Sequence, residues 1–303
     1  MSTANASLAT IFIPLWGVHI ADGILAAPWL LGGFIVAALL LYIGGRQLDE
    51  EEIPQIALLT AVFFIVSLIH FRIGASSVHL LFNGLLGVVL GRRAALAIPV
   101  GLFLQAALIG HGGFYTLGVN TCVLLLPALA ARASMVALGR LPWSRSAGLR
   151  FAFVASSCLL WLASVLSSVL LLLYGGLRFP EWVWFAAVPG AIAVSLSVAW
   201  CERRFEHAPE FPLGLFVGMV AVVATILLNA CVLHWGGQEN WSTLATLVFV
   251  VHTPIAAIEG MVLGFVVGFL ARVKPEMLGF QSPAANVAVA ALRENQHERI
   301  PSH

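Results

Sequence analysis

The sequence predicts an all-α protein that crosses a membrane about eight or nine times, with its N-terminus outside and its C-terminus in the cytoplasm. Of its 303 residues, 60% are hydrophobic and only 10% are charged, whereas a soluble domain carries about 25% charged residues. The mean hydropathy is +0.99, which is typical of a membrane protein. The formal net charge of +1 gives no indication of a nucleic-acid partner.

Charged residues, glycine and proline divide the chain into nine apolar segments. These segments cover about residues 28–45, 55–71, 78–90, 94–110, 117–138, 149–174, 182–200, 212–234 and 244–270. The third segment is short for a membrane span. With the N-terminus outside, only Arg72 and Arg178 of the 15 Lys and Arg residues fall on the outer side, as the positive-inside rule requires. We therefore expect an N-terminal extension over residues 1–17, a transmembrane domain over 18–274 and a polar, disordered cytoplasmic tail over 275–303.

This topology places most of the nine histidines at one membrane face. Those near the outer ends of spans are His19, His70, His79, His111 and His234, while His252 lies within the last span. A single histidine in such a place is usually an interfacial residue with a solvated tip. The gathering of several at one face favours a metal-handling role, with His70 and His234 as bystanders.

Four stretches of sequence carry the more specific information. They are "VHIADGIL" (18–25), "GASSVHLLFNGLLGVVLG" (74–91), "HGGFYTLGVNT" (111–121) and "HTPIAAIEGMVLGFVVGFLARVKPEML" (252–278). In this order they resemble the motifs of the CbiM/NikM family, the substrate-binding membrane subunits of energy-coupling-factor transporters for cobalt and nickel. Nine apolar segments exceed the six or seven usual in that family. The surplus lies within residues 149–234, where no family motif occurs and where an accessory segment could be fused.

The resemblance implies a metal site made of nitrogen atoms. In the family, the free terminal amine, the second residue's backbone nitrogen and its imidazole bind the metal, and a histidine from the third helix completes the square. Strong nitrogen donors in a plane suit Ni²⁺ and Cu²⁺. Carried onto this sequence, the two imidazoles belong to His19 and His79.

The position of His19 departs from the family pattern, because seventeen residues precede Val18 and Val18 has no free amine in the chain as written. One explanation is a wrongly assigned start, since a GTG codon reads as valine inside a gene and as methionine when it initiates. Another is cleavage of residues 1–17, and the last is a retained extension with replacement ligands such as His70 or His111. We favour the wrongly assigned start, and the intact mass of the natively expressed protein distinguishes the three.

Four further residues are expected to support the site from a second shell or a neighbouring loop: Asp22, Asn83, His111 and Asn120. Asp22 is expected to orient the first helix or to hydrogen-bond the ligands. For Asn83, one helical turn after His79, a supporting role and a helix-packing role are both open. The "HGG" loop is expected to brace the site or to cap the fifth helix. Glu259, which faces the same way as His252, is read as structural or coupling-related, because a carboxylate inside a membrane helix is usually paired.

The predicted function is the capture of Co²⁺ or Ni²⁺ from outside for import, without catalysis and without a permanently bound cofactor. The resemblance implies three kinds of partner: a transmembrane coupling subunit, paired ATPase subunits, and a small accessory membrane subunit or its fused equivalent. No P-loop motif occurs, so ATP hydrolysis is expected in the partners. Gly32, Gly33 and Ala37 form a surface of small residues on which a coupling subunit could dock. The alternative is a self-contained secondary permease with a relay near the membrane midplane, for which only His252 and Glu259 are candidates.

Cysteine usage predicts no disulfide or zinc framework, because no C-x-x-C occurs. The four cysteines are read as small buried hydrophobes. They are Cys122, Cys158, Cys201 and Cys231.

Overall fold

A computed structural model describes residues 19–69, 71–73, 76–142, 146–174 and 209–280, together with the single residues Pro189, Ile192 and Leu196. The predicted extension, the segment 182–200 apart from these three single residues, and most of the predicted tail lie outside the described residues. His70 and Cys201 also lie outside them.

The described residues form a helical bundle with one short hairpin. The helices are α1 (Ala27–Gly45), α2 (Ile53–Ser67), α3 (Asn83–Leu90), α4 (Ala94–Ile109), α5 (Leu117–Leu138), α6 (Ala147–Tyr174), α7 (Phe211–Gly236) and α8 (Ser242–Val273). Strands β1 (Phe71–Ile73) and β2 (Ser76–Val78) pair antiparallel between α2 and α3, with Phe71 opposite Val78. Short 3₁₀ turns cover Glu50–Glu52, Gly91–Arg93 and Pro275–Leu278.

Six candidate membrane spans occur among the described residues, and the protein is therefore a multi-pass membrane protein. They are Ala27–Gly45, Asn83–Ile109, Leu117–Leu138, Ala147–Leu170, Phe211–Gly236 and Ser242–Val273. Five of them coincide with predicted segments to within a few residues. The second predicted segment corresponds to α2, which has 15 residues and is shorter than the length that usually spans a membrane.

The third predicted segment, 78–90, is helical over only part of its length. Helix α3 has 8 residues, or about 12 Å, while Val78 ends a strand and residues 79–82 are not helical. The run Asn83–Ile109 also folds back at Gly91–Arg93. This follows from the distance between His79, before α3, and His111, after α4, which approach to 3.2 Å. Thus α3 and α4 are two antiparallel elements. The distance from the histidines to the fold-back at Gly91–Arg93 is covered by residues 79–82 and α3 together, because α3 alone is too short.

The bundle has two chemically different ends. At the histidine end, defined by His19, His79 and His111, the rings of these residues meet. At the arginine end, defined by Arg93 and Arg132, the guanidinium groups bind backbone carbonyls. Helix α6 begins near the arginine end, where Val154 packs with Phe211, and reaches the histidine half, where Ser168 lies 3.1 Å from Thr253.

Close helix contacts rely on small residues. A Cβ atom on Gly218 of α7 would lie 2.9 Å from the Cα of Gly260 on α8, so these two helices pack backbone to backbone. Gly33 of α1 packs in the same way against α5, where its Cβ would lie 2.4 Å from Val119 Cγ2. The close-approach surface of Gly33 is therefore used within the chain, whereas a Cβ on Gly32 would meet nothing.

Arg93 holds the loop between α1 and α2 at the arginine end. Its guanidinium donates to the carbonyl oxygens of Gly44 at 2.7 Å, Arg46 at 2.8 Å and Gln47, and it forms an ion pair of 2.5 Å with Glu52. The hydrogen bond from Arg93 holds the pKa of the Glu52 carboxyl below its usual range. One buried side chain thereby satisfies the acceptors of a whole turn.

Replacing Arg93 with alanine is expected to destabilise the protein by about 2–4 kcal/mol, because three carbonyls and a carboxylate lose a charged donor. Arg93→Lys retains the positive charge but not the planar set of guanidinium N–H donors. We therefore expect a loss of stability smaller than that of Arg93→Ala. Thermal unfolding in detergent measures both, with exposed Arg46→Lys as the control. Equal midpoints for Arg93→Ala and wild type would contradict this role.

The C-terminal end of the described chain is also anchored. Arg132 of α5 donates to the carbonyl oxygens of Val88 at 2.7 Å and Met277 at 2.6 Å, and Phe280 packs near Gly139. The first residues of the predicted tail therefore lie against α5. Cys122, Cys158 and Cys231 are free and half-buried, so they are less buried than the sequence predicted.

Candidate metal site

Three histidines from distant parts of the sequence converge at one end of the bundle. The ring centroids of His19, His79 and His111 lie 4.9–5.1 Å apart in all three pairs. One nitrogen from each ring lies within 4.8 Å of the others. His19 and His79 are buried, and His111 is half-buried. Among the described residues, this is the one group of at least three His, Cys, Asp or Glu side chains with metal-ligand spacing.

The hydrogen bonds of His79 fix which of its nitrogens faces the cluster. Nδ1 donates to the carbonyl oxygen of Leu80 at 2.8 Å, so Nε2 carries the lone pair in the neutral ring. Nε2 lies 3.2 Å from Nε2 of His111. A backbone carbonyl bound to the distal nitrogen is the usual way in which proteins orient a metal-binding imidazole.

Asp22 and Asn120 attach the segment that carries His19 to the "HGG" loop. Both oxygens of the Asp22 carboxylate accept backbone N–H groups, from Phe114 at 3.1 Å and from Thr116 at 3.0 Å. Asn120 pairs reciprocally with the backbone of Ile20, accepting at 2.9 Å and donating at 2.9 Å. These bonds place His19 beside His111 by joining residues about a hundred positions apart.

The site leaves no room for a side chain at Gly113. A Cβ atom there would lie 2.0 Å from Asp22 Oδ1. Gly113→Ala is therefore expected to weaken Ni²⁺ binding at least about tenfold, because the His19 segment must move away from the loop. Gly32→Ala is the matched control, since its Cβ meets nothing, and isothermal titration measures both. Unchanged affinity in Gly113→Ala would show that this attachment does not position the ligands.

Glu259 accepts hydrogen bonds from backbone N–H groups in the non-helical stretch that follows His79. Its carboxylate, buried in α8, accepts the backbone N–H of Leu81 and, at 3.0 Å, that of Phe82. Phe82 has a left-handed φ of 49° and is the N-cap of α3. Non-helical backbone at membrane depth is tolerated where protein groups satisfy its polar atoms. The carboxylate also lies at the positive end of the α3 dipole, so the structural reading of Glu259 fits its contacts.

Asn83 makes helix-packing contacts. Its amide nitrogen donates to Leu124 O at 3.0 Å and to Thr225 Oγ1 at 2.8 Å. These two bonds join α3 to α5 and α7. Of the two roles considered for Asn83, the contacts favour packing.

The arrangement can bind a divalent transition metal. Among the described residues the cluster with ligand spacing consists of imidazoles alone, and imidazoles suit Ni²⁺, Co²⁺, Cu²⁺ and Zn²⁺ better than Mg²⁺ or Ca²⁺. The ring of His111 lies within the cluster, where the sequence predicted a supporting residue or, with a retained extension, a replacement ligand. Segment parity had already placed His79, before the third segment, and His111, after the fourth, at the same end of the bundle.

Comparison with known proteins identifies the family. A family model described as "Cobalt uptake substrate-specific transmembrane region" (CbiM) matches residues 19–203 and 183–277. A Haemophilus influenzae protein named a candidate metal transport protein is 40% identical over 114 residues, 38% of this chain and 55% of the relative. The fused nickel transport protein NikMN of Rhodobacter capsulatus is 30% identical over 128 residues, 40% of this chain and 37% of the relative.

The alignments with individual relatives cover part of each protein. The chain spans about half or less of the length of the two relatives just named. A solved structure described as a truncated transition metal transporter covers 85% of this chain and 98% of its own, with a TM-score of 0.46 and 16% identity. A second, described as a transition metal transporter, gives a TM-score of 0.47 at 17% identity, over 84% of this chain and 93% of its own.

Proposed function

Because the chain belongs to the CbiM family of cobalt-uptake substrate-specific transmembrane regions, we propose that it captures Co²⁺ or Ni²⁺ for an importer. The observation that carries the proposal is the meeting of three imidazoles at one end of a membrane bundle. His19 and His79 supply two ligands, and His111 supplies a third. The ion is the cargo, and it is bound through nitrogen atoms that match the chemistry of both metals.

The histidine end faces outside in this proposal, and the arginine end faces the cytoplasm. Arg93 and Arg132 donate to backbone carbonyls at the arginine end, and Arg46 lies there too, since its carbonyl oxygen accepts from Arg93. Three arginines at this end support an inner position by the positive-inside rule. Helix α6 runs toward the histidine end and α7 begins near the arginine end. This supports the expectation of a further crossing between them and of eight or nine spans in total.

The transport cycle in this proposal depends on partners: a transmembrane coupling subunit, paired ATPases and a small accessory subunit or its fused equivalent. Asp22 and Asn120 hold the ligand-bearing segments together at the outer end, so capture needs no energy input. Release into the cell requires the ligands to separate, and this is the step that ATP hydrolysis in the partners would drive.

Reconstitution into liposomes tests this function. The chain alone is expected to bind ⁶³Ni²⁺ without accumulating it, and accumulation is expected only with the coupling subunit, the ATPases and internal ATP. Accumulation by the chain alone, down an ion gradient and without ATP, would support the self-contained permease instead. A chain that binds neither Ni²⁺ nor Co²⁺ would exclude both.

A further inference from the structure

A fourth histidine, His252, lies beside the cluster and has no place in the capture site just described. It is fully buried on α8. The residues on either side of His79 pack against this part of α8, where Val78 contacts a group that includes Val251, Ile255 and Leu247.

The face of α8 that carries His252 points at the non-helical stretch that follows His79. Glu259 lies seven residues later on the same face and binds the backbone of Leu81 and Phe82. Val78, next to His79, packs with Val251 and Ile255, which lie on either side of His252 along α8. His252 is therefore level with His79, as Glu259 is level with Leu81.

The hydrogen bonding of His252 leaves one nitrogen available to a cation. Its Nδ1 donates to the carbonyl oxygen of Val248 at 2.8 Å. A carbonyl can only accept, so Nδ1 carries the proton of the neutral ring and Nε2 carries the lone pair. This Nε2 is buried, and no residue in the described part of the chain hydrogen-bonds to it. A buried acceptor without a donor is costly unless a water or a cation fills the place.

We propose that His252 is the α8 ligand of a second, inner metal position, which shares His79 with the three-histidine cluster. An ion held by His19, His79 and His111 reaches this position by exchanging two of these imidazoles for that of His252. We assign Glu259 to the backbone and not to the ion, since its two oxygens accept the N–H groups of Leu81 and Phe82. The inner position rests on the proposed capture function and gives the ion its first step away from the outer end.

Ligand replacement by cysteine tests the inner position directly. The full chain carrying His252→Cys, in nanodiscs, is titrated with Co²⁺ and with Ni²⁺. A thiolate that reaches the ion gives a sulfur-to-metal charge-transfer absorption band, which a residue with a purely structural role cannot produce. We expect a new band that is absent from the wild type, which carries the same native cysteines.

Two further cysteine variants make the result interpretable. His79→Cys places a thiolate in the capture site and should give the band, whereas His234→Cys, at an exposed position, should not. A band in His79→Cys without one in His252→Cys would overturn the inner position and leave the capture function standing. No band in either variant, together with unchanged metal affinity, would overturn both.

A second measurement avoids the cysteine substitution at position 252. In a chain lacking two outer ligands, His19→Ala with His111→Ala, residual Cu²⁺ binding should depend on His79 and His252. Adding His252→Gln is then expected to weaken this residual binding at least about tenfold, while adding His234→Gln leaves it unchanged. Equal Cu²⁺ affinities with and without His252→Gln would show that a buried water, not the metal, satisfies Nε2.

Discussion

Replacing His79 with alanine is expected to weaken Ni²⁺ binding by at least about 100-fold, the largest loss of any single substitution at the site. The loss of a residue that merely orients a ligand costs about 10–100-fold in metal affinity, and His79 is argued to be a ligand itself. Its Nε2 lies 3.2 Å from His111 Nε2, and its ring is stacked on that of His19. Isothermal titration of the purified chain with Ni²⁺ and Co²⁺ measures the effect.

His234→Ala provides the matched control, because this histidine is exposed and its described ring contact is with Trp235. It should bind Ni²⁺ with wild-type affinity. A His79→Ala protein that elutes as the wild type does but keeps full affinity would remove His79 from the site and would undermine the proposed function.

The same titration on His111→Ala separates two ligand sets. If the site consists of three imidazoles, His111→Ala should lose nearly as much affinity as His79→Ala. If a terminal amine and a backbone nitrogen complete the site, as the resemblance to the family implies, His111→Ala should lose little.

Part of this site could be predicted from sequence because its residues fall at the ends of apolar segments. His19, His79 and His111 are polar residues next to long hydrophobic runs, and segment parity places them at one end of the bundle. Asp22 and Asn120 could be recognised as support, but their partners could not be, since both bind backbone groups. Backbone N–H and C=O groups occur at every residue and leave no sequence signal of their own.

The non-helical stretch that follows His79 shows where prediction of helices from hydropathy alone fails. Residues 79–82 read as the start of an apolar helix, because "HLLF" resembles the helical sequence that follows it. Their conformation depends on Glu259, which lies 178 positions from Leu81. The length of the segment was the available warning, since about 20 residues are needed for a span. The non-helical stretch could have been indicated by two features together. These are a short apolar segment next to a histidine and an unpaired carboxylate on another span.

Replacing Glu259 with leucine is expected to lower the free energy of unfolding by about 2–5 kcal/mol. Two buried backbone N–H groups, those of Leu81 and Phe82, would lose their only acceptor among the described residues, and each such group costs about 1–3 kcal/mol. Thermal unfolding in detergent, followed by the reaction of the half-buried cysteines with a thiol reagent, measures the change.

Glu259→Gln separates the hydrogen bonds from the shape of the side chain. Glutamine has one acceptor oxygen where glutamate has two, so only one of the two N–H groups can be satisfied, and about 1–3 kcal/mol should be lost. Exposed Glu239→Gln is the control and should unfold as the wild type does. Because residues 79–82 connect His79 to α3, both Glu259 variants should also bind Ni²⁺ more weakly, and the affinity should fall in the same order as the stability. A Glu259→Leu protein with wild-type stability and wild-type Ni²⁺ affinity would show that the non-helical stretch holds its shape without the carboxylate.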